Sequence, residues 1–182
     1  GMISIRMPKY IRRHHKDHTV IGNVALYGAT GGEVFIAGKA GERFAVRNGG
    51  ASGVIEGVGN HGCEYMTHGT IVILGEIGKN FGAGMTGGVA YVYAKKKTID
   101  NYINSDFVIQ SNTNRSDRNL IIRFIRNHVF HTGSTIGNYI LDNWESEVGH
   151  FKKLTPTALE IIDIKTLYDL RINDRINVVL NE

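Results

Sequence analysis

The chain has 182 residues, of which 42% are apolar and 21% charged, and a formal net charge of +4. That is one domain with an appendage, large enough to bury a real core, and the composition is ordinary for a globular protein, which argues against a disordered or fibrous sequence. A single cysteine, Cys63, excludes an internal disulfide and any multi-cysteine zinc or iron–sulfur site built within one chain. No apolar run approaches membrane-spanning length, and the first residues lack the apolar core of a signal peptide, so a cytoplasmic location is expected.

In chain order, Ile3–Arg6 alternates like a strand. A basic, histidine-rich stretch from Lys9 to His18 follows. His14, His15 and His18 have no accompanying carboxylate and read as a solvated loop rather than a metal site. From Gly22 to Gly88 the sequence is a comb holding 19 of the 23 glycines. A recurring G-x-x-G frame starts at Gly28/Gly31, Gly38/Gly41, Gly50/Gly53, Gly59/Gly62, Gly75/Gly78 and Gly84/Gly87, reaching Gly57 and Gly82 at its next position. Alternate starts lie about 20 to 25 residues apart, the signature of a repeat. Between the glycines lie short β-branched and aromatic runs suited to strands: 33–37, 43–47, 53–56, 70–74 and 89–93. Such runs cannot bury a face alone, so they must stack on one another. A repeating glycine corner then favours a parallel β-helix filled by Val, Ile, Phe and Leu over an antiparallel sandwich.

Two stretches match G-x-G-x-x-G, at Gly57–Gly62 and Gly82–Gly87, with Glu76 and Asp100 downstream. A dinucleotide site needs a helix to open at the glycines so that its N-terminus faces the pyrophosphate. Gly88–Tyr93 is strand-like instead, so these glycines are expected as turns. Cys63 and His61 are placed on one strand face, where a buried thiol is commonplace.

Lys95–Lys97 is expected to end the stack with charge, and 98–115 to be a polar connector with one short strand near 107–109. The period then becomes helical. Ser116 or Asp117 caps a helix carrying Leu120, Ile121, Phe124, Ile125, His128 and Val129 and ending at Gly133; Ser134 caps a second with Ile136, Tyr139, Ile140 and Trp144. This hairpin must lay its apolar stripe on something. His128 and His131 sit one turn apart and read as histidines near a helix C-terminus rather than metal ligands. A third helix from Thr155–Pro156 to Ile164 and a closing strand at 171–180 are expected. The lysine clusters read as solvated faces, with no nucleic-acid motif among them.

Four stretches carry a resemblance: 23–30 (NVALYGAT), 41–48 (GERFAVRN), 56–67 (EGVGNHGCEYMT) and 80–92 (NFGAGMTGGVAYV), with 128–134 (HVFHTGS) and Trp144 continuing it. Together they resemble the C-terminal GXGXG domain of the glutamate synthase large (α) subunit, over most of residues 3–155. The resemblance implies a right-handed parallel β-helix over 2–97, followed over 98–182 by a connector and helical tail packed on it. In that family catalysis belongs to a glutaminase domain and a flavin-bearing barrel with an iron–sulfur cluster. It therefore implies a structural module with no catalytic, cofactor-binding or metal-binding residue to transfer, and no cofactor of its own.

Relative to the family pattern the sequence starts mid-helix, so an open solenoid end is expected. The partners implied are glutaminase or flavin synthase subunits, or a second copy meeting that end, with neither nucleic acid nor membrane involved. The rival readings are a small-ligand or nucleotide binder using the glycine turns, an anion binder through the basic ends, and a shortened relative with an unrelated scaffold role.

Overall fold

The computed structural model describes residues 1–8, 18–95 and 98–158. Eight strands form one sheet: β1 (Met2–Arg6), β2 (Thr19–Ile21), β3 (Glu33–Ala40), β4 (Ser52–Gly57), β5 (Thr70–Ile73), β6 (Val89–Tyr93), β7 (Val108–Asn112) and β8 (Phe151–Pro156). Strands β1 and β2 together span β3, and β3 to β6 then stack in parallel, as the expected β-helix of about four coils. Glu33 pairs with Ser52, Gly53 with Ile71 and Thr70 with Val89, so one coil takes 18 or 19 residues. This is shorter than the glycine frame suggested, because each coil has glycines at several corners and the frame skips between them.

Strands β3 to β6 are buried on both sides, and period-2 alternation sends successive side chains to different cores. Val34, Ile36, Ile55, Ile71, Ile73, Ala90 and Val92 fill the solenoid interior. Phe35, Val54, Val72, Leu74, Tyr91 and Tyr93 face outward into a second core. That second core is roofed by α1 (Arg115–Thr132) and α2 (Thr135–Asp142), through Ile121, Phe124, Ile125 and Ile140. A short α3 (Trp144–Glu147) and a 3₁₀ turn then lead into β8.

Helix limits follow local chemistry. Asn114, two positions before the first of the residues expected to cap α1, makes a reciprocal capping box with Asp117, and Gly133 ends the helix at φ 67°. Ser134 caps α2 by accepting from Gly137 N–H.

The other side of each coil is not a strand. In 24–28, 43–47, 61–65 and 80–84 every second residue has φ between 53° and 74°, including Val24, Leu26, Arg43, Ala45, Arg47, His61, Cys63, Tyr65 and Asn80. Residues 43–47 were expected as strand, and His61 and Cys63 as neighbours on one. The left-handed positions instead turn alternate N–H groups toward opposite coils. Arg43 N–H donates forward to Asn60 O and Arg47 N–H to Glu64 O, while Ala45 N–H donates back to Ala25 O; residues 61, 63 and 65 repeat the scheme. The full set of inter-coil hydrogen bonds offsets the conformational cost of non-glycine residues in this region.

The last coil is closed by chain rather than by charge. Strand β8 pairs antiparallel with β6, Ala90 opposite Leu154, and β7 pairs with β8. Ile99, Val108 and Leu154 complete the interior core, so the connector is not merely polar. Thr155 and Pro156 belong to β8 rather than to the start of a helix. Thr157 and Ala158, directly after β8, are helical, two residues later than expected; positions 159–164 of that helix, the 171–180 strand, His14, His15 and Lys96–Lys97 lie outside the described residues.

Candidate functional site

Three buried carboxylates join the outer face of the sheet to the helices. Glu56 follows Val54 on the outward face of β4, and its side chain is 0% exposed. Its Oε1 accepts from Ser134 Oγ at 2.5 Å and lies 3.3 Å from His128 Nε2, which is likewise 0% exposed. Ser134 Oγ in turn accepts from Gly137 N–H at 2.9 Å, so one carboxylate anchors both the end of α1 and the start of α2.

Asp117 performs the same task near the other end of α1. It accepts from Tyr91 OH at 2.7 Å and from Asn114 N–H at 2.9 Å, and pairs with Lys153 Nζ at 2.9 Å. Burial pushes its pKa up, but the hydrogen bonds from Tyr91, Asn114 and Lys153 outweigh it and hold the carboxyl below the usual range. Tyr91 and Tyr93 are both raised, first by burial and then by their carboxylate partners.

Glu147 on α3 is the third. Lys95 Nζ lies 2.6 Å from its Oε1, Tyr139 OH donates to the same oxygen at 2.9 Å, and Tyr93 OH donates to Oε2 at 2.5 Å. Lys95 first, then Tyr93 and Tyr139, hold the carboxyl down at about 2. Since a depressed carboxylate binds its proton more weakly folded than unfolded, this group's contribution is present above pH about 4.5 and lost as pH falls toward about 2. The melting temperature of the wild-type chain should therefore drop through that window, and Glu147→Gln should flatten the drop; superimposable acid titrations of the two would refute the assignment. Lys95 and Lys153, expected as solvated cations, are thus spent on internal pairs.

Beside Glu147 lies a cleft of about 490 Å³ at the far ends of β3 to β6. Leu74, Ile77 and Ile136 form apolar walls, and Lys39, Lys95 and Tyr139 supply polar atoms. Lys39 is paired with Glu76 at 3.5 Å.

The fourteen glycines singled out in the sequence sit at corners or contacts between coils. Gly28, Gly38, Gly50, Gly82 and Gly84 have positive φ. A Cβ on Gly41, Gly53, Gly57, Gly59, Gly75, Gly78 or Gly87 would meet an atom of a neighbouring coil at 1.9 to 2.9 Å, and one on Gly62 would meet Phe81 at 3.0 Å. Only Gly31 and Gly28 have nothing within 4 Å. Gly57–Gly62 and Gly82–Gly87 lie against neighbouring coils, and neither opens a helix.

Cys63 is 0% exposed and its thiol is pushed up to about 12 by burial. It should resist alkylation at pH 8 in the native chain and react fully in denaturant; rapid native labelling would contradict its placement. His131 stacks on Phe35, ring centroids 5.1 Å apart. Sequence reasoning did not select Glu56 or Glu147. Alternation along 53–56 was the available signal for Glu56, since it puts that carboxylate on the face with Val54.

The sequence pattern of the GXGXG motif family matches residues 1–157. Similar proteins include the NADH glutamate synthase of Schizosaccharomyces pombe, 45% identical over 163 residues, which are 89% of this chain and 8% of that protein. The NADPH glutamate synthase large chain of Bacillus subtilis is 43% identical over 158 residues, 86% of this chain and 10% of its own length. The chloroplastic ferredoxin-dependent glutamate synthase of Spinacia oleracea is 47% identical over 146 residues, 80% of this chain and 9% of its own. The chain thus spans about a tenth of the length of the curated relatives it matches. Among the described residues no helix is long and apolar enough to cross a membrane.

Proposed function

This chain belongs to the GXGXG motif family, as a module of glutamate-synthase type, and on that premise we propose that it is a non-catalytic scaffold to which separate glutaminase and flavin-bearing synthase chains dock. It takes part in glutamine-dependent glutamate formation only through those partners. The observation that carries the reading is where the chain spends its chemically capable groups. Glu56, Asp117 and Glu147 are each engaged by at least one side chain of the opposite layer, which makes them struts between sheet and helices. A rod of stacked coils with a locked helical roof holds neighbours at a fixed spacing, because every coil contacts the next through hydrogen bonds at nearly every position.

The test is copurification of the tagged full chain with the glutaminase and synthase polypeptide of the same cell, together with assays on the chain alone. Stoichiometric association and an inactive, colourless isolated chain are expected. Flavin absorbance or ammonia release from glutamine by the isolated chain would overturn the reading.

A second reading, a small-ligand binder, has the 490 Å³ cleft in its favour, a volume in the range that holds a metabolite. Its occupants would sit there and not on the glycine turns. A melting-temperature rise with glutamine, 2-oxoglutarate or a nucleotide would support it.

A further inference from the structure

We propose that the surface made by the stacked left-handed segments is the docking face of the chain, and that its occupant is an acidic surface of the catalytic partner. The inference rests on the scaffold reading above and names the side of the rod that the scaffold uses.

The sheet side of the rod is roofed by α1 and α2, whereas among the described residues no helix or strand covers the turn side. The left-handed residues stand in three columns. The middle one, Leu26, Ala45 and Cys63, points into the interior core. The flanking columns point out: Val24, Arg43 and His61 on one side, Gly28, Arg47 and Tyr65 on the other. Val24, Tyr27 and Tyr65 are 43%, 54% and 55% exposed, three of the exposed large apolar side chains among the described residues, all in this one region. Tyr65 is held flat, since a Cβ on Gly84 in the next coil would lie 2.5 Å from its ring.

The charges on this face are unequal in a way that selects the partner. Its carboxylates each have a polar partner on the same face: Glu42 accepts from Asn60 Nδ2 at 3.1 Å, and Glu64 lies 2.7 Å from His61 Nδ1. Its cations are not: among the described residues, Arg43, Arg47 and Lys79 have no ion-pair partner. Exposed tyrosines beside unengaged guanidiniums are the composition of an interface hot spot, and the guanidinium fork matches a carboxylate. Arg43 and Arg47 rise from backbone already fixed by inter-coil hydrogen bonds of 2.9 and 2.8 Å, so docking orders only the side chains.

The experiment measures binding of the full chain to the glutaminase and synthase polypeptide of the same cell. Raising salt from about 50 to 300 mM should weaken wild-type binding by about tenfold or more. At low salt, R43E/R47E should weaken it by about 100-fold, and R43K/R47K should lose less than the charge reversal does. R118E/R126E makes the same charge change on the exposed face of α1 and should bind within about threefold of wild type. The Arg43 and Arg47 variants should melt with wild type, since both side chains are exposed; if R43E/R47E does not, R43Q/R47Q replaces it in the comparison. Undiminished binding by the charge-reversed variant overturns the docking face and leaves the scaffold reading standing. Equal loss in R118E/R126E overturns it too, because net charge would then explain the result. Failure of the wild-type chain to bind rejects both.

Discussion

Glu56→Ala should destabilise the chain by about 3–5 kcal/mol, the largest loss expected of any side-chain truncation here. The carboxylate is fully buried with two partners on different helical elements, Ser134 Oγ and the His128 ring. Removing it takes the acceptor from Ser134 Oγ and the facing carboxylate from His128 within the buried second core, and a buried polar group that loses its partner costs desolvation. Ser134 is also the α2 cap, so the loss loosens the start of that helix as well. In a chain of this size the melting temperature should fall by about 10 °C. Glu56→Gln keeps the volume and one acceptor and should cost less than half as much. A Glu56→Ala chain that melts within a degree or two of wild type would show that the roof is held by apolar packing alone.

Gly53→Ala should be comparably damaging for a different reason. A Cβ there would stand 1.9 Å from the carbonyl oxygen of Val34 and 2.7 Å from its Cγ1, in the coil it pairs with. The obstructing atom is backbone inside a hydrogen-bonded ladder with core on both sides, so neither chain can withdraw, and a loss of at least about 3 kcal/mol is expected. Gly87→Ala, 1.9 Å from Thr67 O, should behave alike. Gly31→Ala has nothing within 4 Å and should change stability by no more than about 0.5 kcal/mol. Denaturant melts of the three variants decide the point: equal midpoints would mean that coil spacing is adjustable and that the glycines serve only as corners.

These two effects also mark where reading along the chain succeeds and where it stops. The rungs at 33–37, 53–56, 70–74 and 89–93 were legible because β-branched runs between glycines have one favoured conformation, and the Gly133 and Ser134 boundaries because caps are local, whereas the start of α1 falls at Asn114 and Trp144 belongs to α3 rather than to α2. The 43–47 segment was misread as strand. Phe, Val and Arg favour extended chain, and no single-residue preference anticipates left-handed alternation that is stable only when a coil above and a coil below accept its N–H groups. The 18–19-residue coil was likewise hidden, since several glycines per coil allow more than one periodic frame.

For the candidate site, Ser134 and Asp117 were visible only as helix caps, and Glu147 not at all. Glu56 reaches His128 and Ser134 across 72 and 78 residues, and Tyr93 reaches Glu147 across 54. Lys95 was taken for a solvated cation because its counter-charge lies 52 residues away.

What the amino-acid sequence by itself determined was the stacked-coil architecture, the helical hairpin and membership in a glutamate-synthase-type family, since glycine spacing, alternation and capping act over a few residues. Only the tertiary structure decided which side of the rod the hairpin roofs, which carboxylates become struts and which arginines are left facing outward. Those outcomes depend on the register in which remote segments pack, and burial and pairing across that contact have no counterpart in local sequence.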